Sequence, residues 1–126
     1  MAYKILFTDD ALGDLEIILD YIRADNPGAA EKFGTSLLNH VELLKNFPRI
    51  GMPVSSRLGV RKILHTPVRI YYRLHDERNL IEILHFWHSS RKEPRVPSGP
   101  TPVRYFFRFA SNRAKMRLYS SAQLVG

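Results

Sequence analysis

The spacing of hydrophobic positions changes once along the chain, near Pro53. Before it, Leu12, Leu15, Ile18, Leu19 and Ile22 recur at intervals of three and four. That spacing predicts an amphipathic helix over residues 9–24. Thr8, followed by Asp9 and Asp10, supplies an N-cap and first-turn acids. Asn26-Pro27 restarts the chain with a capping residue and a proline suited to the first helical position. Ala30, Phe33, Leu37, Leu38, Val41 and Leu44 then predict a second helix over residues 27–46. So short a connection implies an antiparallel helical hairpin. Ahead of both helices, residues 3–7 read as a short strand. Behind them, the run from Phe47 to Pro53 holds two prolines and a glycine and predicts a loop.

After the loop the period becomes two. Residues 60–65, 68–74 and 80–88 read as three strands, with Pro67 marking the first turn and residues 75–79 forming a polar turn. In the middle strand Val68, Ile70, Tyr72 and Leu74 share one face, and Arg69, Tyr71 and Arg73 the other. The third strand is apolar on both faces, as for a strand that is central or covered on both sides. The fold class is therefore α+β: an N-terminal strand and an antiparallel helical hairpin packed on a small antiparallel sheet. One sheet face should meet the helices. The other is expected to carry Arg61, Arg69 and Arg73.

Composition and charge add a polarity to this plan. The chain has 126 residues, 44% of them hydrophobic, enough for one domain with a modest core. It has no cysteine, which excludes a disulfide framework or a thiolate site and fits a cytoplasmic setting. The start lacks a signal-peptide pattern, and no apolar run is long enough to span a membrane. The net charge of +7 is unevenly spread: −4 over residues 1–48, +6 over 49–96 and +5 over 97–126. The basic character thus belongs to the sheet and the tail, and points to a polyanion or an acidic protein partner. Pro97-Ser98-Gly99-Pro100-Thr101-Pro102 reads as a linker. The chain divides into a domain over 1–96 and a basic, aromatic extension over 97–126, expected to pack loosely or stay disordered.

Candidate chemistry narrows by elimination. There is no glycine-rich phosphate loop and no serine in a nucleophile-elbow context. His85 and His88 are three apart on a strand, so they point to opposite faces and do not jointly chelate a metal. Asp9, Asp10 and Asp14 are explained by a helix start and a solvated face, and His40 by a boundary position. No cofactor and no metal are implied. What remains is Arg61, Lys62, Arg69, Tyr71, Arg73, His88 and Arg91. Cations and a proton-transfer histidine are what metal-independent RNA cleavage requires, but arginines also commonly decorate an exposed sheet face.

These stretches resemble the ParE/RelE toxin superfamily over roughly residues 3–93. The first strand and helix are similar through Tyr3, Ile5, Thr8, Ala11, Asp14-Leu15, Ile18 and Tyr21-Ile22. The second helix is similar through Pro27, Ala30 and Phe33, and the loop through Pro48-x-x-Gly51. The sheet is similar through Gly59-Val60-Arg61, Arg69-Ile70-Tyr71-Tyr72-Arg73 and the run from Ile81 to Arg91. The resemblance implies a toxin of a type II toxin–antitoxin pair, often described as a plasmid stabilisation protein. Its implied partner is a cognate antitoxin that folds on the toxin, in a hetero-oligomer. Family members either inhibit DNA gyrase, as ParE-like toxins do, or cut mRNA on the ribosome, as RelE-like toxins do. His88-x-x-Arg91 and the apolar last strand place this chain closer to the ParE-like side, so interference with DNA gyrase is favoured. A metal-independent, ribosome-dependent mRNA endonuclease is the alternative. The site residues the resemblance carries over are Arg61, Arg69, Arg73, His88 and Arg91.

Overall fold

The computed structural model describes residues 3–89 and the backbone of residues 103–107. The elements are β1 (Lys4–Thr8), α1 (Asp9–Asp25), α2 (Pro27–Glu42), β2 (Met52–Pro53), β3 (Val60–His65), β4 (Val68–His75), β5 (Leu80–His88) and β6 (Val103–Phe107). They follow the predicted order, with three differences. The second helix tightens into a 3-10 turn at Leu43–Lys45. The proline-glycine loop contributes the two-residue strand β2. Residues 103–107, inside the extension expected to be loose, form a sixth strand. The rest of the extension lies outside the described residues.

Both helices begin as their caps dictate. The Thr8 hydroxyl accepts the Ala11 amide at 3.1 Å, and the Asn26 side chain accepts the Ala29 amide at 3.1 Å. Such caps are worth about 1 kcal/mol each. Helix α1 buries Ala11, Leu15 and Leu19. Helix α2 buries Ala30, Gly34, Leu37, Leu38 and Val41. These stripes meet Ile5, Phe7, Ile63, Ile70, Tyr72, Ile81, Ile83 and Phe86 in the main core.

The sheet order is β2-β3-β4-β5-β1-β6. It is mixed, because β1 lies parallel to β5 while the β3-β4-β5 meander is antiparallel. The helical hairpin carries the chain from β1 across to β2 and β3, and the two antiparallel turns of the meander then bring β5 back beside β1 running the same way, so the sheet expected to be antiparallel is mixed. In β5 one residue is extra. Tyr71 faces His85 and Tyr72 faces Ile83, so Leu84 forms a bulge. The bulge resets the alternation: Ile81 and Ile83, then Phe86, reach the helix side, while Leu84 joins Val54, Val60, Tyr71 and Trp87 in a second cluster. The strand is apolar on both faces for this reason. Thr8 fastens the bulge, its hydroxyl donating towards the carbonyls of Ile83 (3.0 Å) and Leu84 (3.2 Å).

Candidate functional site

Residues directly opposite in an antiparallel pair share a face, so the register fixes what the helix-free face displays. Three rows cross it: Leu64-Arg69-Trp87, Lys62-Tyr71-His85 and Val60-Arg73-Glu82. Arg69 and Arg73 lie here as predicted. Arg69 Nη2 donates to the Ser89 carbonyl at 2.9 Å, and its Nη1 lies 3.4 Å from the Tyr71 hydroxyl. Arg73 lies 3.7 Å from Glu82, whose side chain is 2% exposed. His75 Nε2 approaches the same Glu82 oxygen at 3.1 Å. Glu82 is thus a buried carboxylate held between an arginine and a histidine, and sequence reasoning did not single it out. The signal was the lone acid in an apolar strand, which becomes legible only once the hairpin register sets it opposite Arg73.

Two other candidates fall elsewhere. Arg61 pairs with Tyr72, not with Arg73, and so shares the helix-side face of Ile63, Ile70 and Tyr72. Its guanidinium donates to the carbonyls of Gly51 at 2.7 Å and Arg49 at 3.3 Å. It therefore fastens the proline-glycine loop. His88 pairs with the buried Val68, which also puts it on the helix-side face, exposed at the end of β5. The expected cluster of Arg61, Arg69, Arg73 and His88 is therefore divided by the sheet. The physical reason is pairing register, since a shift of one residue changes the face of every side chain. Even Arg69 and Arg73 stand four residues apart on one strand, about 13 Å along it. Arg91 lies outside the described residues.

The loop that Arg61 holds is fixed further by Tyr72. Its hydroxyl donates to the Pro48 carbonyl at 2.8 Å and accepts the Gly51 amide at 2.9 Å. A Cβ on Gly51 would sit 2.6 Å from that hydroxyl and 2.9 Å from the Lys62 carbonyl, so only glycine fits. Burial pushes the Tyr72 hydroxyl's pKa above its ordinary value. Beside the loop, Asp76 accepts from Tyr3 at 2.7 Å and pairs with Arg49. The Tyr3 hydrogen bond, then Arg49, hold the Asp76 carboxyl below its usual range.

Two further polar contacts join helix to sheet. Asp14 accepts the Phe86 amide at 3.2 Å and meets His85 Nδ1 at 2.8 Å. It thereby ties α1 to β5 past the end of β1, a role beyond the solvated position read from sequence. His40 and His65 bring their Nδ1 atoms to 2.8 Å, with Ser36 Oγ 3.2 Å from His65 Nε2. One Nδ1 must donate and the other accept. Burial, then the neighbouring His40, lower the pKa of His65. Among the described residues, no three His, Cys, Asp or Glu side chains come together as a metal site, and no helix is long and apolar enough to cross a membrane.

Compared with known families, residues 5–93 match the ParE toxin of type II toxin–antitoxin systems, parDE. The chain belongs to the ParE toxin family. The ParE match covers the hairpin, the meander and the proline-glycine loop, and ends before β6. Among solved structures, one similar chain is from the chromosomal ParDE toxin–antitoxin system of P. aeruginosa. It has 24% identity and a TM-score of 0.60, over 69% of this chain and 96% of that one. Another is from the RelBE2 toxin–antitoxin complex of Mycobacterium tuberculosis. It has 24% identity and a TM-score of 0.52, over 70% of this chain and 99% of that one. At that identity the likeness is one of fold. No curated protein sequence matches the chain. This ParE-family protein is accordingly a toxin of the type II toxin–antitoxin class.

Proposed function

We propose that this ParE-family toxin arrests growth by binding DNA gyrase, and that a cognate antitoxin neutralises it. The observation that carries the reading is the division of the candidate groups by the sheet. A ribonuclease must bring a base, an acid and cations within about 3 Å of the reacting atoms. Here His88 belongs to the face opposite Arg69 and Arg73. Arg61 is engaged with loop carbonyls, and Arg73 with Glu82. What the helix-free face does offer is a surface at one end: exposed Leu64 and half-buried Trp87 beside Arg69, with half-buried Lys62 over the buried Tyr71. Aromatic and arginine side chains of this kind anchor protein interfaces. The sheet half also carries the positive charge, which suits the DNA held by such an enzyme or an acidic antitoxin segment.

Ribosome-dependent mRNA cleavage is the second reading, favoured only by the Arg69–Tyr71 pair, a cation beside a phenol. Single substitutions separate the two. Arg69→Ala, Lys62→Ala and His88→Ala are made in the full chain and checked for folding. The gyrase reading predicts that Arg69→Ala and Lys62→Ala each weaken gyrase inhibition by roughly 1–2 kcal/mol, with no residue indispensable, while His88→Ala on the other face leaves it nearly unchanged. A loss of orders of magnitude in mRNA cleavage from His88→Ala or Arg69→Ala alone, with ribosome binding intact, would overturn it.

A further inference from the structure

The six-stranded sheet has two outer edges. One is β2, only two residues long and ending in Pro53, which has no N–H to offer a further strand. The other is β6. It lies antiparallel on β1, with Ile5 opposite Phe107, Leu6 opposite Phe106 and Phe7 opposite Tyr105. The register is irregular between Phe7 and Thr8, and Thr8 stands opposite Val103.

Two facts set β6 apart from the other strands. It lies beyond residue 93, where the ParE match ends, so it is an addition to the shared domain. It is also joined to β5 only through residues 89–102, which include Pro94, Pro97, Pro100 and Pro102. Strand β1 is held firmly from its other side, in parallel with β5 and with Ile5 and Phe7 in the main core. Among the described residues, β5 pairs with one side of β1 and β6 with the other, so within the shared domain it is the β6 side that stands open to an added strand. Such a side is a row of backbone donors and acceptors that any extended segment can use. Main-chain pairing is largely indifferent to sequence, so two segments that use the same row exclude each other.

We propose that residues 103–107 are an intramolecular occupant of the β1 edge, and that an extended segment of the antitoxin docks there by displacing them. This rests on the type II toxin reading. The extension is tied to the domain, so its local concentration at the edge is high, on the millimolar scale for a short linker. Charge adds to it, since residues 97–126 carry +5 and residues 1–48 carry −4. An incoming segment must compete with both terms. If β6 is docked nine-tenths of the time, the apparent affinity for that segment falls about tenfold. The extension thereby sets how much antitoxin is needed for neutralisation, and raised salt shifts the balance towards the antitoxin by screening the charge term.

Backbone amide exchange tests this in the full chain, alone and with the protein encoded by the adjacent reading frame. Alone, the β1-directed amides of residues 103–107 should exchange about tenfold more slowly than in an unpaired segment. In the complex they should become fast, while the β1 amides stay slow. A Tyr105→Pro/Phe106→Pro double variant removes one β1-directed donor whichever way the strand faces, because successive N–H groups alternate sides. It should bind the partner about tenfold more tightly than the unaltered chain. Unprotected exchange at every amide of 103–107 in the free chain, or continued protection of the β1-directed ones in the complex, would overturn the displacement and leave the toxin reading standing. Equal affinity of the variant and the unaltered chain would do the same. Failure of the adjacent protein to bind either form would overturn the toxin–antitoxin reading itself.

Discussion

Tyr72 has its ring on the helix side of the sheet and its hydroxyl in the proline-glycine loop, donating to Pro48 and accepting from Gly51. Removing that hydroxyl leaves the buried Gly51 amide and the half-buried Pro48 carbonyl short of a partner, so Tyr72→Phe should cost about 1–3 kcal/mol. Gly51→Ala should cost a similar amount by overpacking, roughly 1–3 kcal/mol, because its new methyl meets the Tyr72 oxygen and the Lys62 carbonyl. Urea unfolding would check both; an unchanged midpoint for Gly51→Ala would show that the loop can yield. Arg73→Ala should leave the buried Glu82 without its arginine, beside His75, and destabilise the fold by on the order of 3 kcal/mol. Its effect on toxicity is therefore read only alongside its stability. His65 gives a pH dependence. Its folded pKa lies below the ordinary 6.5, so the unfolded chain binds the proton more readily. Its contribution to stability is complete above pH 6.5 and is lost as pH falls through that value towards the folded one. Thermal unfolding from pH 8 to 5 should show a smaller acid decline in His65→Gln than in the unaltered chain. Equal slopes would contradict the assignment. At this scale the sequence showed which residues carry chemistry but not which face they take. The alternation of β4 placed Arg69 and Arg73 correctly, whereas the faces of Arg61 and His88 follow from the pairing of β3 and β5 with β4, which residue types alone do not give.

The helices and the three-stranded meander were legible because each carries a strong local signal: caps at Thr8 and Asn26, and a period that switches after Pro53. The bulge at Leu84 was not, since an apolar strand on both faces gives no alternation to break. Its placement rests on Thr8, which caps α1 and holds the bulge carbonyls at once. Thr8→Ala should therefore cost more than an ordinary cap, roughly 2–3 kcal/mol against about 1, in chemical denaturation. A loss near 1 kcal/mol would mean that the bulge holds itself. Strand β6 escaped notice for another reason: its mixture of aromatics and arginines after a run of prolines reads as linker and tail, and only the open side of β1 gives it a place.

As a whole molecule, the protein is acidic where the helices lie and basic where the sheet and extension lie. That asymmetry was read from the sequence, and the sheet order places the charge on the meander. The geometry does not gather the basic and titratable groups into one centre. It spreads them over the two faces and gives several of them structural partners. Activity should then come from a surface rather than from a reacting constellation. The most direct measurement is to titrate the purified 126-residue toxin into a DNA gyrase supercoiling assay, with ribosome-bound mRNA assayed in parallel. A dose-dependent loss of supercoiling with intact mRNA is the predicted result. Codon-specific mRNA cuts with supercoiling untouched would contradict the account.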